Sequence, residues 1–464
     1  MKKLLWTLII IVTISCEDTL EQRFSDSVIV GEAIEDLNSL NLAANGVYSF
    51  FAHKGYYNRN FVLIPEIMSD NAFINAFDNT GRFLEFDNYA VNASDSKVEE
   101  TYNNLSRIIA TTSIVINKAN ILSFPKTEQE DANQYIGEMY ALRALTFHNF
   151  QLLFSQPYGF TKDASHLGVP IPDFNLLGDG TNIQNPGRST AAEVYNQILI
   201  DLQTAINLMH VESEPFRIDL NGAKALLARV YLHMKNWENA RDMATDVILN
   251  SGKSLLTREA YFDSWAENSN NESLFVISNI ESDNSGTSSI GHFYLTFKDA
   301  FATNDFKNKL SQTDVRKQLY PVDGQVNLVT KFPRNTTQDD NIHVLRLSEM
   351  YLIKAEAHAQ LNENLEAQQA LDIIIQRAHA EDMAPSTETG KALLEKILLE
   401  RRKELAYEGF RLFDLTRYGI SFTKYRQDAN PIEIVAPADK TILPIPTDEI
   451  NVNPNIAHQQ NPGY

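Results

Sequence analysis

The sequence predicts a mainly α-helical protein, in which paired helices form one compact body with long loop-rich insertions and short strands. Three observations predict this fold class. Apolar residues recur at steps of three and four through most of the chain, as on one face of a helix. A pattern of small and aromatic residues occurs twice at the same offsets. Two long stretches, residues 52–93 and 256–333, have no steady period and interrupt the helices.

The composition is that of a folded protein with a large core. The chain has 464 residues, of which 43% are hydrophobic and 22% are charged, which suits one large domain or two to three small ones. The formal net charge is −20, from 40 basic and 60 acidic side chains. This charge argues against nucleic acid or an anionic membrane surface as a partner, because both attract basic proteins. The single cysteine excludes an internal disulfide.

Residues 1–15 have the parts of a secretory signal. Two lysines at positions 2 and 3 precede an apolar run that ends at Ser15. The run is too short to span a bilayer. Cys16 stands where similar bacterial lipoprotein signals place the cysteine that is acylated and becomes the new N-terminus, although Thr13 replaces the usual leucine.

An acylated Cys16 would anchor the mature chain in a membrane, because more than one acyl chain makes a stable anchor. Residues 16–35 would then be a tether. Glu17, Asp18 and Glu21 closely follow the cysteine, and lipoproteins of similar type use acidic residues there to reach the cell surface. The alternative is a plain secreted protein whose only cysteine falls at this position by chance.

The helical pattern divides the body into segments separated by turns. It covers residues 36–51, 98–121, 131–154, 190–209, 221–234 and 237–250. Residues 155–188 contain four prolines and five glycines and predict a long surface connector. The Gly178-Asp179-Gly180 sequence in this connector lacks the regularly spaced oxygen ligands of a calcium loop. No metal site is therefore predicted.

The internal repeat resembles the tetratricopeptide helix pair. In residues 221–250 the small, aromatic, turn-aromatic and small positions are Ala228, Tyr231, Trp237 and Ala240. In residues 343–375 the same offsets carry Ala355, His358, Asn364 and Ala367, so that Asn364 departs from the aromatic residue. Small residues at these positions let the two helices of a pair approach closely, and stacked pairs bury a shared core.

The two non-periodic insertions are the predicted location of the function, because rigid scaffolds usually carry their binding residues on irregular segments. The first insertion, residues 52–93, mixes Asn and Asp with Tyr56, Tyr57, Phe61, Phe73, Phe77, Phe83, Phe86 and Tyr89. The second insertion, residues 256–333, has strand-like runs at 274–277 and 326–330 and a Ser/Asn/Gly patch at 281–289. Its aromatic residues include Tyr261, Trp265, Phe293, Tyr294, Phe297 and Phe301.

Residues 400–419 combine an apolar stripe with dense charge, which predicts a helix packed inside the scaffold with its ion pairs half buried. The spacing of opposite charges predicts pairs between Glu408 and Arg411, Arg411 and Asp414, and Asp414 and Arg417. Gly409 ends or bends this helix. A carboxylate pair for acid–base chemistry is the alternative, but the stretch supplies no nucleophile or metal ligand. Residues 428–464 predict an extended tail that lies on the body.

Five motifs follow one another along the chain. They are Glu-x-x-x-Leu-Arg-Ala at 138–144, Ala-Lys-Ala-Leu-Leu-Ala-Arg-Val-Tyr at 223–231, Leu-Arg-Leu-Ser-Glu-x-Tyr-Leu-Ile-Lys-Ala-Glu-Ala at 345–357, Glu-Arg-Arg-x-Glu-Leu and Glu-Gly-x-Arg-x-x-Asp-Leu-x-Arg within 400–417, and Ile-Leu-Pro-Ile-Pro-x-x-Glu at 442–449 with Gln-Asn-Pro-Gly-Tyr at 460–464. Together with the lipoprotein start, they resemble the SusD/RagB family, the surface nutrient-binding lipoproteins of double-membraned bacteria.

This resemblance implies a lid that captures a nutrient oligosaccharide at the outer membrane without cleaving it. It implies a SusC-type TonB-dependent transporter as the partner, and no cofactor. Some relatives bind peptide instead, which is the alternative within the family. The chain would divide into an N-terminal SusD-like half over residues 36–215 and a C-terminal half over residues 216–464.

Saccharide binding uses aromatic faces for the apolar sides of sugar rings and Asn, Asp and Arg side chains for the hydroxyl groups. The predicted ligand contacts in the first insertion are Tyr57, Asp70, Asn71, Phe73, Phe77, Arg82 and Phe83. Those in the second insertion are Tyr294 and Phe297. For each of these aromatic residues, packing inside the body is the alternative.

Two other classes of function remain open. A glycan hydrolase would need two carboxylates at a defined separation, but the chain has no His-Glu-x-x-His or Gly-x-Ser-x-Gly motif and no cysteine nucleophile beyond Cys16. We therefore expect binding without turnover and no catalytic residue. A protein-interaction scaffold would bind peptides on the concave face of its helix pairs, and its affinity would survive changes in both insertions.

Overall fold

The computed structural model describes residues 34–177, 184–211, 215–427 and 429–464. The predictions for the signal, Cys16, nearly all of the tether and Gly178-Asp179-Gly180 lie outside these residues. The mainly helical fold is confirmed. The helices are α1 (Leu37–Phe51), α2 (Asn60–Ile67), α3 (Leu84–Asp87), α4 (Ser96–Ile121), α5 (Gln129–Phe154), α6 (Ala191–Leu208), α7 (Leu220–His233), α8 (Trp237–Asn250), α9 (Arg258–Tyr261), α10 (Asn304–Asn308), α11 (Leu347–Gln360), α12 (Asn364–Ala378), α13 (Gly390–Glu404), α14 (Arg411–Tyr418) and α15 (Thr447–Val452).

The longer helices pack as successive hairpins. Helix α4 packs on α5, α7 on α8, and α11 on α12. These pairs are joined by contacts of α5 with α6, α6 with α7, and α8 with α11. The predicted tetratricopeptide-like pairs are therefore present in α7–α8 and α11–α12. Their small residues Ala228, Ala240, Ala355 and Ala367 have no exposed surface, as close packing of the helices requires.

Local sequence sets where several helices begin and how closely they pack. Thr190 and Glu193 form a capping box at the start of α6, in which each side chain accepts a hydrogen bond from the backbone of the other. The contact between α5 and the end of α6 depends on Gly137 in α5. A Cβ atom at this position would lie 2.4 Å from Cγ of Met209. Glycine therefore lets α5 approach the end of α6.

The strands are short, as predicted for the insertions, and the structure pairs them in antiparallel fashion. They are β1 (Ala72–Ile74), β2 (Leu167–Pro170), β3 (Arg188–Thr190), β4 (Ser273–Ile277), β5 (Ala300–Ala302), β6 (Val322–Asp323), β7 (Val326–Asn327), β8 (Ile342–Arg346), β9 (Phe422–Lys424) and β10 (Ile432–Ile434). One sheet has the order β1-β5-β7-β6. The other strands form the pairs β2–β3, β4–β8 and β9–β10.

The charged stretch over residues 400–419 is two helices, α13 and α14, rather than one. Between them the backbone takes positive φ angles at Tyr407 (64°) and Gly409 (86°). This break redirects the side chains, so two of the three predicted ion pairs are wrong. Glu408 pairs with Lys331 and Arg346.

The remaining charges of this stretch also find partners elsewhere in the chain. Arg411 pairs with Asp70 at 2.7 Å. The predicted pair between Asp414 and Arg417 is present at 2.8 Å. Burial is more complete than predicted, since both Asp414 and Arg417 are buried.

The C-terminal tail lies on the helical body, as predicted. The backbone N–H of Leu443 donates to the carbonyl of Leu153 at 2.7 Å. The guanidinium of Arg188 donates to the side chain of Asn461 at 2.7 Å and to the carbonyl of Gln459 at 2.8 Å. These contacts fix the tail against the end of α5 and the strand β3. In the described ranges, no helix is both long enough and apolar enough to cross a membrane.

Candidate functional site

The two insertions meet through the pairing of β1 with β5. In this antiparallel register Ala72 lies opposite Ala302 and Ile74 opposite Ala300. The backbone N–H of Asn75 extends the pairing by donating to the carbonyl of Asp299 at 2.8 Å. Segments that are more than 200 residues apart in sequence are thus held side by side. The loop that follows β1 and the loop that precedes β5 form one surface.

Two buried polar side chains hold this surface together. The amide of Asn75 donates to the carbonyl of Lys298 at 3.0 Å, and its oxygen accepts from the backbone N–H groups of Phe77 and Asp78 at 3.2 Å. The carboxylate of Asp299 is fully buried and accepts from the hydroxyl of Thr80 at 2.8 Å. Side-chain hydrogen bonds of this kind satisfy the loop backbone where no strand can.

Three side chains on this surface form what we call the loop platform: Phe77, Arg82 and Phe297. The guanidinium of Arg82 lies 3.9 Å from the centre of the Phe297 ring and 3.3 Å from Asp299. The Phe77 side chain is 72% exposed. Arg82 is thus fixed in place by stacking and by an ion pair. The platform offers aromatic surface and guanidinium donors without a free net charge.

Further polar groups border the platform on the side of the second insertion. The His292 ring meets Phe297 edge to face, with ring centres 4.5 Å apart. The amide of Asn335 donates to the hydroxyl of the exposed Thr296 at 2.9 Å. On the opposite side, Gln427 accepts from the backbone N–H of Ala76 at 2.8 Å. Amide, hydroxyl and imidazole groups therefore surround the aromatic surface.

A cavity of about 390 Å³ opens beside the same insertions, and we call it the α1 cavity. It is lined by Tyr48, Ser49, Ala52, His53, Lys54, Phe216, Ile277, Ser278, Asp283, Asn284 and Ser285. Its volume is in the range of small-ligand sites. Partial burial lowers the pKa of His53. This imidazole is therefore held toward its neutral form, in which one ring nitrogen donates and the other accepts hydrogen bonds.

Two family models match the chain over most of its length. The model described as the SusD family matches residues 260–464, and the model described as starch-binding associating with outer membrane matches residues 30–232. The chain belongs to the SusD/RagB family. The resemblance that the five motifs indicated is confirmed.

Solved structures of the SusD superfamily share the whole fold. A SusD superfamily protein from Bacteroides thetaiotaomicron is 29% identical with a TM-score of 0.84, and the match covers 92% of this chain and 100% of that one. A putative sugar binding protein from Bacteroides vulgatus is 29% identical with a TM-score of 0.83, covering 93% and 99%. A SusD-like protein from Formosa agariphila is 22% identical over 97% of each chain.

Within this SusD/RagB fold, the predicted contacts Asp70 and Phe73 lie at the base of the insertions. The carboxylate of Asp70 accepts from Arg411 at 2.7 and 2.8 Å and lies 3.3 Å from Arg402. Burial raises the pKa of Asp70, but the hydrogen bonds and charges of the two arginines outweigh this effect and keep the pKa below its usual value. Phe73 is half buried against Phe301. Asp70 is thus already paired within the protein.

The structure corrects four of the predicted contacts, because their side chains are buried and have almost no surface for a ligand: Tyr57, Asn71, Phe83 and Tyr294. The Tyr57 hydroxyl accepts from Asn149 at 2.8 Å, and burial raises its pKa to about 12. Asn71 bonds to Glu66 and Arg402, each at 2.8 Å.

Phe83 and Tyr294 pack in the aromatic core. The Phe83 ring meets Phe86 and Phe293, while Tyr294 stacks on Phe332 and meets Tyr407 edge to face. Both residues therefore pack inside the body, which was the alternative to ligand contact. The SusD/RagB family resemblance gave no way to separate these core residues from exposed ones.

Of the predicted contacts, the structure brings Arg82 against Phe297, and the exposed Phe77 lies on the loop that Asn75 ties to Lys298. The sequence prediction missed Asn75 and Asp299, which hold the loop platform together, and His292 on its border. An asparagine two residues before Phe77 is a turn signal that could have indicated Asn75. No signal in the sequence indicates that Asp299 is buried beside Thr80.

Proposed function

We propose that this protein binds a nutrient oligosaccharide on the loop platform without cleaving it. The observation that carries the proposal is the β1–β5 pairing, which joins both insertions and presents Phe77, Arg82 and Phe297 together. The names of similar proteins support a carbohydrate ligand, since one is a putative sugar binding protein and one matching family model is described as starch-binding.

The chemistry of the platform suits a neutral glycan. An exposed phenyl ring covers the apolar face of a sugar ring and gains from the burial of both surfaces. The guanidinium of Arg82 has N–H donors for hydroxyl oxygens, and the bordering hydroxyl and amide groups can both donate and accept. Because Asp299 balances the charge of Arg82, the platform carries no net attraction for a polyanion.

Binding without turnover is part of the proposal. Glycosidases place two carboxyl groups across the scissile bond, and one of them acts as a general acid. On the platform, the Asp299 carboxylate is buried and already accepts from Thr80. This carboxylate holds the loop and has no exposed surface with which to reach a glycosidic oxygen.

We also propose that acylated Cys16 holds the protein at the outer face of the outer membrane, and that a SusC-type TonB-dependent transporter receives the oligosaccharide. The description of one matching family model, which associates it with the outer membrane, supports this location. The lipoprotein-like start of the sequence supports the anchor.

The test is calorimetric titration of the soluble Cys16→Ala protein, produced without residues 1–15, against neutral oligosaccharides and peptides. We expect at least one oligosaccharide to bind. Phe77→Ala and Phe297→Ala should each weaken its affinity roughly fivefold to tenfold, because each removes one aromatic contact. Chromatography of the ligand after overnight incubation should show no cleavage.

Phe262→Ala is the matched control, because Phe262 is a partly exposed phenylalanine (39% exposed) in the second insertion but outside the platform. Its affinity should equal that of the parent protein. Binding of peptides alone would favour the peptide-binding alternative. If Phe216→Ala in the α1 cavity abolishes binding and both platform variants retain it, the platform is not the site.

A further inference from the structure

A second cavity lies far along the chain from either insertion. It has a volume of about 310 Å³ and lies beside the β9–β10 hairpin, and we call it the hairpin cavity. Its lining comes from the start of the connector after α5, the turn after α7, the end of α14, and the hairpin with the segment that follows it. The proposed glycan site therefore does not explain it. Its size is at the lower end of the range for small-molecule sites.

Several of the side chains that line the hairpin cavity are apolar. Phe422 and Ile434 face it from the hairpin and are each 7% exposed. Phe160 and Ile420 also line it and are 46% and 38% exposed. Partly exposed apolar side chains around a concave opening favour a ligand with an apolar body, since its burial removes their surface from water.

One ammonium group at this cavity, that of the exposed Lys235, has no partner among the residues that the structure describes. A Cβ atom on Gly159 would lie 3.3 Å from Nζ of Lys235, so this ammonium sits directly over the connector. Within the described part of the chain, Lys235 Nζ makes no hydrogen bond or ion pair. The backbone at Lys235 has a φ of 58°, in the left-handed region that usually holds Gly or Asn.

The other charges around the hairpin cavity are balanced. Arg417 lines the cavity, and its guanidinium pairs with Glu356 and with Asp414 at 2.8 Å. Asp414 also pairs with Arg401 at 3.1 Å. Two arginines thus face two carboxylates, and Lys235 adds one uncompensated positive charge. A ligand that supplies one negative charge would pair with this ammonium at the edge of the cavity.

We propose that the hairpin cavity binds a small carboxylic acid with a branched or aromatic apolar body. The carboxylate accepts hydrogen bonds from Lys235 Nζ, and the apolar body packs against Phe422, Ile434 and Phe160. A free organic acid and the C-terminal residue of a peptide share this chemistry. This site is independent of the proposed glycan function.

The test compares charged and neutral ligands of the same shape on the soluble Cys16→Ala protein. The probes are 4-methylpentanoate with 4-methylpentanamide, and phenylacetate with phenylacetamide, titrated by calorimetry at low salt. We expect each acid to bind at least about tenfold more tightly than its amide, because a hydrogen bond to a charged group is the stronger one. Equal affinities, or no saturable binding of either acid, would overturn the proposal.

Three variants connect the affinity to the cavity. Lys235→Met keeps the length of the side chain and should remove the preference for acid over amide. Lys162→Met, at an exposed lysine on the same connector, should keep the preference, and Phe160→Ala should weaken acid and amide equally. Circular dichroism melts check that each variant is folded. Loss of the preference in Lys162→Met as well as in Lys235→Met would contradict the assignment.

A further titration distinguishes a free organic acid from the C-terminal residue of a peptide as the natural ligand. An N-acetylated pentapeptide ending in leucine, compared with its C-terminal amide, should bind more tightly than 4-methylpentanoate if the natural ligand is a peptide end. It should bind no more tightly if the ligand is a free acid. In both cases the carboxylate form of the probe must bind more tightly than its amide form. Tighter binding of the amide would refute the site.

Discussion

At the level of single residues, the carboxyl group of Asp340 combines burial with an incomplete set of partners. Its Oδ1 accepts from the backbone N–H of Arg334 at 2.8 Å, and its Oδ2 is buried without a hydrogen-bond partner among the described residues. Burial, helped by the charge of Asp339, raises the pKa of Asp340 to about 7 against the opposing backbone hydrogen bond of Arg334. The group lies against Gly291, where a Cβ atom would be 2.2 Å from Oδ2.

We predict that Asp340→Asn stabilises the protein relative to its parent as the pH rises. A carboxyl whose pKa is higher in the folded than in the unfolded state keeps its proton between about pH 4 and pH 7, so its contribution to stability falls as the pH rises through that window. Asparagine removes this titration, and the gain should be on the order of 3 kcal/mol between pH 4 and pH 8. Urea unfolding of both proteins at several pH values measures it, and a difference that is independent of pH would contradict the assigned pKa.

The residue scale is also where sequence reasoning was least successful. Exposed Phe77 and buried Phe83 stand six residues apart in one non-periodic stretch, and no spacing distinguishes them. Asp70 carries the charge of a ligand-binding group, yet Arg411 and Arg402 occupy it. Burial in an irregular segment depends on partners that are distant in sequence, so the sequence indicated the two stretches that the structure brings together but not which of their residues are exposed.

At the level of elements, the charged stretch shows how arginine and glutamate can form a core. Arg316, Arg346 and Arg377 converge on Glu404 of α13, with distances of 3.1, 2.7 and 2.5 Å. Burial raises the pKa of Glu404, but the three arginines outweigh it and hold the pKa well below its usual value. The prediction of an architectural role agrees with this network. Breaking such a buried cluster on one side leaves an unpaired buried charge, which costs several kcal/mol.

The turn between α13 and α14 provides a test of this architecture at Gly409. Its φ is +86°, and a Cβ atom would lie 2.9 Å from the carbonyl oxygen of Phe61. Gly419 at the end of α14 has a similar φ of +62° but no atom within 4 Å of a Cβ atom. Gly419→Ala should cost about 1 kcal/mol from backbone strain.

We expect Gly409→Ala to cost at least about 2 kcal/mol more than this control, because the backbone of α2 must also move. The free energy of unfolding in urea measures both variants. Equal losses would show that the close approach of Gly409 to α2 does not constrain the fold.

Elements with a clear period were predictable, and the ion-pair partners around a break were not. The apolar spacing indicated α4 to α8 within a few residues, because long amphipathic helices repeat their signal over several turns. In residues 400–419 the sequence indicated a break at Gly409, and this glycine lies between α13 and α14. The glycine was visible, but the change in ion-pair partners depends on the three-dimensional position of Asp70, Lys331 and Arg346.

At the level of the whole molecule, the proposed location depends on acylation of Cys16. We predict that Cys16→Ala in the full-length chain moves the protein from the membrane fraction to the soluble fraction, since the proposed acyl chains would supply the anchor. Fractionation with immunodetection measures this, and mass spectrometry of the wild-type N-terminal peptide should show the added lipid. Retention of the variant in the membrane fraction would argue for another anchor.

The family was predicted from the order of several motifs rather than from any one motif. Five motifs spread over residues 138–464 indicated the family, and the family models match most of the chain. The junction that unites the insertions could not be predicted in the same way. Strands β1 and β5 have three residues each, too few to show a period, and their pairing spans more than 200 residues.

The most direct test of the account is hydrogen–deuterium exchange of the soluble protein with and without a saturating oligosaccharide identified in the binding panel. We predict slower exchange in residues 75–83 and 292–299 together, because one ligand would cover both loops of the platform. The exposed faces of α8 and α12 should not change. Protection confined to those helix faces, or to residues 283–285 of the α1 cavity, would contradict a shared site on the two insertions.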